Sequence, residues 1–400
     1  MSPFPLVQAR RTLLASLVII GMGFTVLFPI LSPLGRELGL TEFQITSIIA
    51  ASSLTVFLAS PRWGRWSDRV GRKRVMLIGL FGFSLGTCLF NSVLYAGLNG
   101  WVTGTLLFAA LVVARVMHAG IMSATMPAST AYMADITDAA TRTRGMGASG
   151  AANNLGSMIG PAVAGLAFIS LLTPLWIVAA LAFLNGLFIW RYLPEPPRAD
   201  GPRHALPRMK FTDRRILPIL VVGVSMFIGF GLVQQTMGFR FQDALGLDAA
   251  ETAQTVGLAM MLSAASSLLA QGFVVQRVNL PPFTLLTLAI PLLFVAFVLL
   301  ATQETQLMLT VAMMIQGFGM GLAGPGFMAG ASLAVSPEEQ GAVAGIAGAC
   351  GPLGFTIGPL LGGAMYQYDP VMPFAFSAAM YSVLFVSMRW IGRRVSVHSA

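Results

Sequence analysis

The chain has 400 residues, of which 56% are hydrophobic and only 10% charged, against roughly a quarter charged in soluble domains. With 24 Lys and Arg and 15 Asp and Glu, it cannot clothe two or three soluble domains, and an integral membrane protein is the class left. In a soluble chain a net charge of +9 would suggest a nucleic-acid partner; here it reads as the cytoplasmic excess of cations that orients membrane proteins, and no nucleic acid is expected.

Unbroken apolar runs such as 13–34 exclude a β-barrel, whose strands alternate in polarity. Backbone groups in a bilayer must pair within their own segment, so the spans are helices. At roughly 33 residues per span and loop, the chain holds about twelve. In chain order the runs fall at 12–35, 43–62, 75–98, 104–133, 143–169 and 173–193. A second set follows at 215–237, 250–275, 283–302, 306–333, 338–366 and 371–391. The first run follows Arg10 and Arg11 but exceeds the length of a signal peptide and has no clean cleavage pattern, so it is expected to be a retained helix.

Six spans, a break and six spans predict an all-α integral membrane fold with 12 transmembrane helices in two pseudo-symmetric six-helix bundles. The expected boundaries are 1–193 and 216–400, with a linker over 194–215 that holds Pro194, Pro196, Pro197, Pro202 and Pro207 among basic residues. The halves echo each other. Leu38-Gly39-Leu40-Thr41 precedes the second span and Leu245-Gly246-Leu247-Asp248 the eighth. Thr41 with Gln44, and Asp248 with Glu251, have the spacing of capping boxes. With both termini cytoplasmic, every Lys and Arg except Arg36, Arg240 and Arg115 falls on the cytoplasmic side.

The segment between spans two and three reads Gly64-Arg65-Trp66-Ser67-Asp68-Arg69-Val70-Gly71-Arg72-Lys73-Arg74. Its glycines are expected to make a tight turn between helices, with Asp68 free to pair across the cytoplasmic face. The fourth span carries Arg115-Val116-Met117-His118-Ala119-Gly120. An arginine within a span is costly to insert and therefore a functional candidate, and His118 lies one turn away on the same side. The fifth span carries Gly147, Gly156, Gly160-Pro161 and Gly165, and the eleventh Gly345, Gly354, Gly358-Pro359 and Gly362-Gly363. Small residues four apart let helix backbones approach closely.

These segments resemble the major facilitator superfamily. Gly64, Asp68, Arg69, Gly71, Arg72 and Lys73 match its loop signature, which in the family latches one conformational state. Arg115 and Gly120 match its R-x-x-x-G element. The long glycine spacing resembles the motif of the antiporter branch, complete in the eleventh span and with Ala164 replacing one terminal glycine in the fifth. Tyr132 to Asp138, with Arg142 and Arg144, and Leu193-Pro194-Glu195, resemble segments of twelve-helix drug exporters, including tetracycline exporters. The resemblance implies a proton-coupled exporter of a small amphiphilic organic compound, working by alternating access as a monomer, in a bacterial inner membrane.

Exporters of this kind often carry the proton on a carboxylate inside a span, and here all fifteen acids fall toward the faces, Asp243 and Asp135 nearest the interior. The proton carrier is therefore a boundary acid, His118 or the substrate. Polar residues in apolar spans, Asn153, Asn154, Gln234, Gln235 and Gln316, are candidates to line a cavity or to bond helix to helix. Phe24, Phe28 and Phe230 could line an adaptable apolar cavity or pack against neighbours. Import of a small nutrient by proton symport, and export of an endogenous metabolite such as a siderophore, are the alternatives. An enzyme would need clustered His, Asp or Glu; His118, His204 and His398 are far apart in the chain, so no catalysis, metal or cofactor is expected.

Overall fold

The computed structural model describes residues 6–138, 141–196, 209–278, 280–336 and 339–397, and the side chains of all of these but 143 and 388–397. The described residues form helices and no strand. Most of the predicted linker, with Arg198, Arg203, Arg208 and His204, lies outside them, as do the side chains of Arg389, Arg393 and Arg394.

Prolines divide the longest runs. The first run is two helices, α1 (Leu6–Thr25) and α2 (Phe28–Glu37), because Pro29 offers no N–H to the Thr25 carbonyl one turn back. The second and third are α3 (Glu42–Val70) and α4 (Arg72–Leu98). The fourth breaks into α5 (Gly104–Met122) and α6 (Thr125–Asp135), again one turn before a proline, Pro127. Then come α7 (Arg142–Val163), tightening into a 3₁₀ turn at Ala164–Phe168, and α8 (Thr173–Tyr192). Pro161 frees the Ser157 carbonyl, and the Thr25 hydroxyl donates to it at 3.0 Å.

The rest of the chain supplies α9 (Leu217–Leu245) and α10 (Ala249–Leu269), which widens into a π turn at Ala270–Val275. It ends with α11 (Pro282–Thr302), α12 (Gln306–Leu333), α13 (Gln340–Tyr368) and α14 (Met372–Val397). Both capping boxes form. The Thr41 hydroxyl accepts from the Gln44 N–H while the Gln44 side chain accepts from the Thr41 N–H. Asp248 and Glu251 exchange the same two bonds.

Ten helical stretches among the described residues are long and apolar enough to cross a membrane, with a shorter apolar helix at Met372–Ser387. The expected fifth span is helical but not among the ten, because the glycines, asparagines and serines of α7 lower its hydropathy. Side chains such as Leu85 at 70% and Leu106 at 70% exposure need lipid rather than water around them.

Contacts divide the chain into two compact units, Met1–Pro202 with Asp248–Gly257, and Arg203–Leu247 with Leu258–Ala400. In the first, α1 packs along α7, and α4 lies between α5 and α8. In the second, α9 packs along α13, and α11 lies between α12 and α14. A buried pair joins α1 to α8: Ser16 Oγ donates to Asn185 Oδ1 at 2.7 Å, and Asn185 Nδ2 donates back to the Ser16 carbonyl.

Both long seams rest on the glycine spacing. A Cβ at Gly156 would strike the Val18 carbonyl, and one at Gly160 the Met22 carbonyl and the Thr25 hydroxyl. In the second unit, a Cβ at Gly354 would strike Phe227, and one at Gly358 the Ile228 carbonyl. A Cβ at Gly362 would press on Thr236 and Leu232. Gly147, Gly165 and Gly345 have nothing within 4 Å of such a Cβ, so close helix approach does not account for them.

Candidate functional site

The predicted turn between spans two and three is much shorter than its sequence suggests. Helix α3 runs to Val70, so Gly64, Asp68 and Arg69 are helical, and only Gly71, at φ +108°, turns the chain. Nothing near Gly64 stops the ladder: a glycine inside a helix costs stability without ending it. Arg72, 6% exposed, sits directly after the turn. Its guanidinium donates to Asp68 at 2.6 Å, Asp135 at 2.9 Å and Ser67 Oγ at 2.6 Å. Its backbone N–H donates to Glu195 at 2.6 Å. Lys73 donates to the Trp190 carbonyl at 2.8 Å, and the Tyr132 hydroxyl to the Pro194 carbonyl at 2.6 Å. The signature thus ties the ends of α3, α4, α6 and α8 together within the first unit.

Helix α4 runs antiparallel to α5 and the start of α6 on a glycine-lined face, where Gly79 meets Thr125, Gly82 meets Ile121 and Gly86 meets His118. A Cβ at Gly86 would come within 2.7 Å of the His118 ring, so this glycine makes the imidazole's berth. Arg115 Nη1 lies 2.7 Å from His118 Nδ1, and Thr87 Oγ1 lies 3.4 Å from Nε2. Phe83 meets the imidazole edge-on at 5.0 Å, and the guanidinium lies 5.6 Å from the centre of the Phe90 ring. His118 is 2% exposed. Arg115 Nε and both amide atoms of Asn91 are buried without a hydrogen-bond partner among the described residues.

Phe83 also lines a small cavity of about 80 Å³ with Phe24, Ile20, Leu80, Ser123 and Met126. Phe24, Arg115 and His118 are therefore gathered in one region of the first unit. Phe28 is buried and packs edge-on against Phe24 at 6.3 Å. A larger pocket, about 790 Å³, runs along the second half of α3, where Arg62, Arg65 and Arg69 alternate with Trp63 and Trp66. The Trp63 indole is fixed by donation to the Gly120 carbonyl at 2.6 Å.

The amides do not form one group. Asn153 is half-buried, its backbone carbonyl against Gly21, and Asn154 is exposed on α7. In the second unit Gln235 is fully buried and Gln234 half-buried. Gln316 is 1% exposed, with neither amide atom hydrogen-bonded among the described residues. Phe230 meets Phe355 edge-on at 5.7 Å. Asp135 is ion-paired with Arg72, and Asp243 accepts from the Tyr366 hydroxyl at 2.7 Å.

Arg115 is half-buried as a residue, and the cations most fully buried among the described residues are Arg72 and Arg240. Arg240, expected at the outer face, is 4% exposed and donates to the carbonyls of Leu300 at 3.0 Å and Gln303 at 2.9 Å. Thr87 and Asn91 also escaped sequence reasoning, although two polar residues four apart in an apolar helix were a signal that one face of α4 meets other polar groups.

The sequence model of the Major Facilitator Superfamily matches residues 13–303 and 272–400. The chain belongs to that family of transporters, and it is not an enzyme. It is 26% identical to multidrug resistance protein 1 of Bacillus subtilis over 385 residues, covering 93% of each chain. It is 28% identical to the class C tetracycline resistance protein of Escherichia coli over 405 residues, covering 96% of each. Among solved structures, the nucleoside transporter NupG shares the fold at a TM-score of 0.74 with 16% identity, covering 96% of this chain and 98% of that one. The human organic anion transporter MFSD10 does so at 0.66 with 21% identity, covering 96% and 100%.

Proposed function

We propose that this transporter exports a small amphiphilic organic compound by alternating access, driven by proton entry in antiport. The observation that carries the reading is the twin seam, in which the antiporter-type glycines Gly156 and Gly160 seat α7 on α1, and Gly354 and Gly358 seat α13 on α9. The multidrug and tetracycline resistance relatives support export of a small organic molecule. The guanidiniums and indoles along α3 suit an amphiphile, since cations and aromatic faces together bind polar heads and apolar bodies.

In this reading Arg115 is the membrane-embedded cation that meets the substrate or senses the proton, with Phe24, Phe28 and Phe230 and the amides of Asn153, Asn154, Gln234, Gln235 and Gln316 contributing to binding. The Gly64–Lys73 segment latches one state through Asp68, Arg69 and Arg72. The protein works as a monomer of twelve spans, as bundles 1–193 and 216–400 joined through 194–215, with both termini cytoplasmic, in a bacterial inner membrane. Everted vesicles test the mechanism. Compounds that are exported should dissipate a preset pH gradient with wild-type protein and not with Arg115→Ala. A gradient untouched by a broad compound panel would sink antiport.

A further inference from the structure

We propose that His118 is a positioning residue for Arg115 and not a proton carrier: it acts as a neutral imidazole that accepts from the guanidinium at Nδ1 and donates from Nε2 to Thr87. The inference rests on the reading of Arg115 as the working cation of the transport cycle.

Donor and acceptor chemistry carries it. A guanidinium has five N–H donors and no acceptor. A nitrogen 2.7 Å from Arg115 Nη1 must therefore present a lone pair. An imidazolium has an N–H on both nitrogens and could not make this contact, so the pair exists only while His118 is neutral. With Nδ1 accepting, the single ring proton sits on Nε2, and the group facing it is the Thr87 hydroxyl oxygen at 3.4 Å. The Thr87 hydroxyl can donate or accept and suits either tautomer; only the Nε2–H form also presents a lone pair to Arg115, whereas the Nδ1–H form would set an N–H against the guanidinium.

Among the described residues, the surroundings hold no carboxylate to meet an added proton. On its own helix His118 faces Arg115. From α4 it faces Phe83, Gly86 and Thr87. Neither α4 nor α5 contains an Asp or Glu. Helix α3 reaches α5 through Trp63 and Thr55 at Gly120, and its acids, Glu42 and Asp68, stand at its two ends. The carboxylate of α6, Asp135, is held by Arg72. Protonating His118 would set a second cation against Arg115 with no compensating anion.

What the imidazole holds is a guanidinium with capacity left over. Arg115 rests over Phe90, and its Nε is buried with no partner among the described residues. Held by His118 on one nitrogen, the fork keeps a fixed direction for an acceptor that arrives during transport. Proton carriage then falls to a boundary acid, Asp243 or Asp135, or to the substrate.

Histidine labelled with ¹⁵N tests this directly, because the chain has three histidines and the His204→Gln and His398→Gln variants assign the remaining signals to His118. The expected spectrum shows the Nε2–H tautomer at neutral pH, unchanged between roughly pH 8 and pH 5.5, across the range where an unperturbed imidazole titrates. The Nδ1–H tautomer, or titration in that range, would overturn the proposal. Arg115→Met should release the ring into a mixture of tautomers; an unaltered tautomer there would also overturn it. In vesicles, His118→Gln, whose amide can accept and donate in the same two directions, should keep substrate-driven proton flux within about twofold with the wild-type pH profile. His118→Ala should lose about tenfold, as expected for one misplaced charge-assisted contact. Loss of proton flux in His118→Gln with substrate binding intact would make His118 the carrier. The spectra need no transport, so failure of the export reading leaves the tautomer result standing.

Discussion

The backbone N–H of Arg72, the first of α4, donates to the carboxylate of Glu195 at 2.6 Å, across 123 residues of chain. A helix start leaves its first N–H groups without intrahelical partners, and α4 has only Gly71 in its N-cap position, which has no side chain to accept them. Glu195 supplies the acceptor from the far end of α8 and places a negative charge at the positive end of the α4 dipole. Gly71 is required twice: its φ of +108° suits glycine, and a Cβ there would lie 2.7 Å from the Glu195 carboxylate.

Removing this remote cap should lower the stability of the first unit. Glu195→Ala is expected to cost about 1–2 kcal/mol, the range for losing a helix cap, and Glu195→Gln less, because an amide oxygen still accepts. Asp135→Asn, which leaves the buried Arg72 short of charge, should cost more, about 3 kcal/mol. Thermal unfolding of the purified protein in detergent checks the order. Equal melting of Glu195→Ala and wild type would show the cap to be idle.

The glycine seams make a contrast within one motif. Gly156→Ala and Gly358→Ala drive a methyl into a backbone carbonyl of the facing helix, so each should cost about 1–3 kcal/mol from overpacking. Gly147→Ala and Gly345→Ala meet nothing within 4 Å. They should be neutral or slightly stabilising, since alanine exceeds glycine in helix propensity by roughly 1 kcal/mol. Melting temperatures of the four variants decide. If the seam positions tolerate alanine, close approach is not what the spacing secures.

The contacts legible in the sequence are local, and the contacts it hides join residues far apart in the chain. The capping boxes, the glycine spacing and the pairing of Arg115 with His118 lie within a few turns of one helix, where 3.6-residue geometry decides which residues meet. Pro29 and Pro127 broke runs read as continuous, a local effect that hydropathy alone does not register. Glycine permits a turn at Gly64 but does not require one, and the α3 ladder passes straight through it. The bond between Arg72 and Glu195 spans residues 72 to 195, and no periodicity predicts it. The order of the spans places Arg240 at the outer face but says nothing of its acceptors, the carbonyls at the end of another helix.

Arg215 makes a charge cluster outside the spans that should respond to pH. It donates to Asp213 at 2.9 Å and to Glu339, just before α13, at 2.8 Å. These bonds hold both carboxyls below their ordinary range. A carboxyl with a depressed folded pKa contributes stability that is present above its unfolded pKa and lost as pH falls through the folded value. The tie between Arg215 and the start of α13 should therefore hold at neutral pH and loosen below roughly pH 4, the ordinary carboxylate range. Salt should weaken it too, because the groups are solvent-exposed. Hydrogen exchange in the first turn of α13 should quicken in acid for wild type and be fast at all pH values for Arg215→Gln. A wild-type rate independent of pH in that window would show that the cluster does not hold the turn.

Arg240 closes the end of α11, where the last carbonyls lack intrahelical partners and the dipole is negative. Its two donors reach the Leu300 and Gln303 carbonyls, so one buried side chain both neutralises the helix end and fixes it against α9. Lysine keeps the charge, but a single ammonium on a flexible stem does not reproduce the rigid fork. Arg240→Lys should lose at least one charge-assisted bond, about 1.5–3 kcal/mol. Arg240→Met should fare no better: it removes the desolvated charge but leaves both carbonyls uncapped. Detergent melting of the two variants, with hydrogen exchange at Leu299 to Gln303 as the local probe, separates the possibilities. A methionine variant that melts above wild type with protection unchanged would mean that the arginine is a burden the fold tolerates and that the carbonyls find other partners.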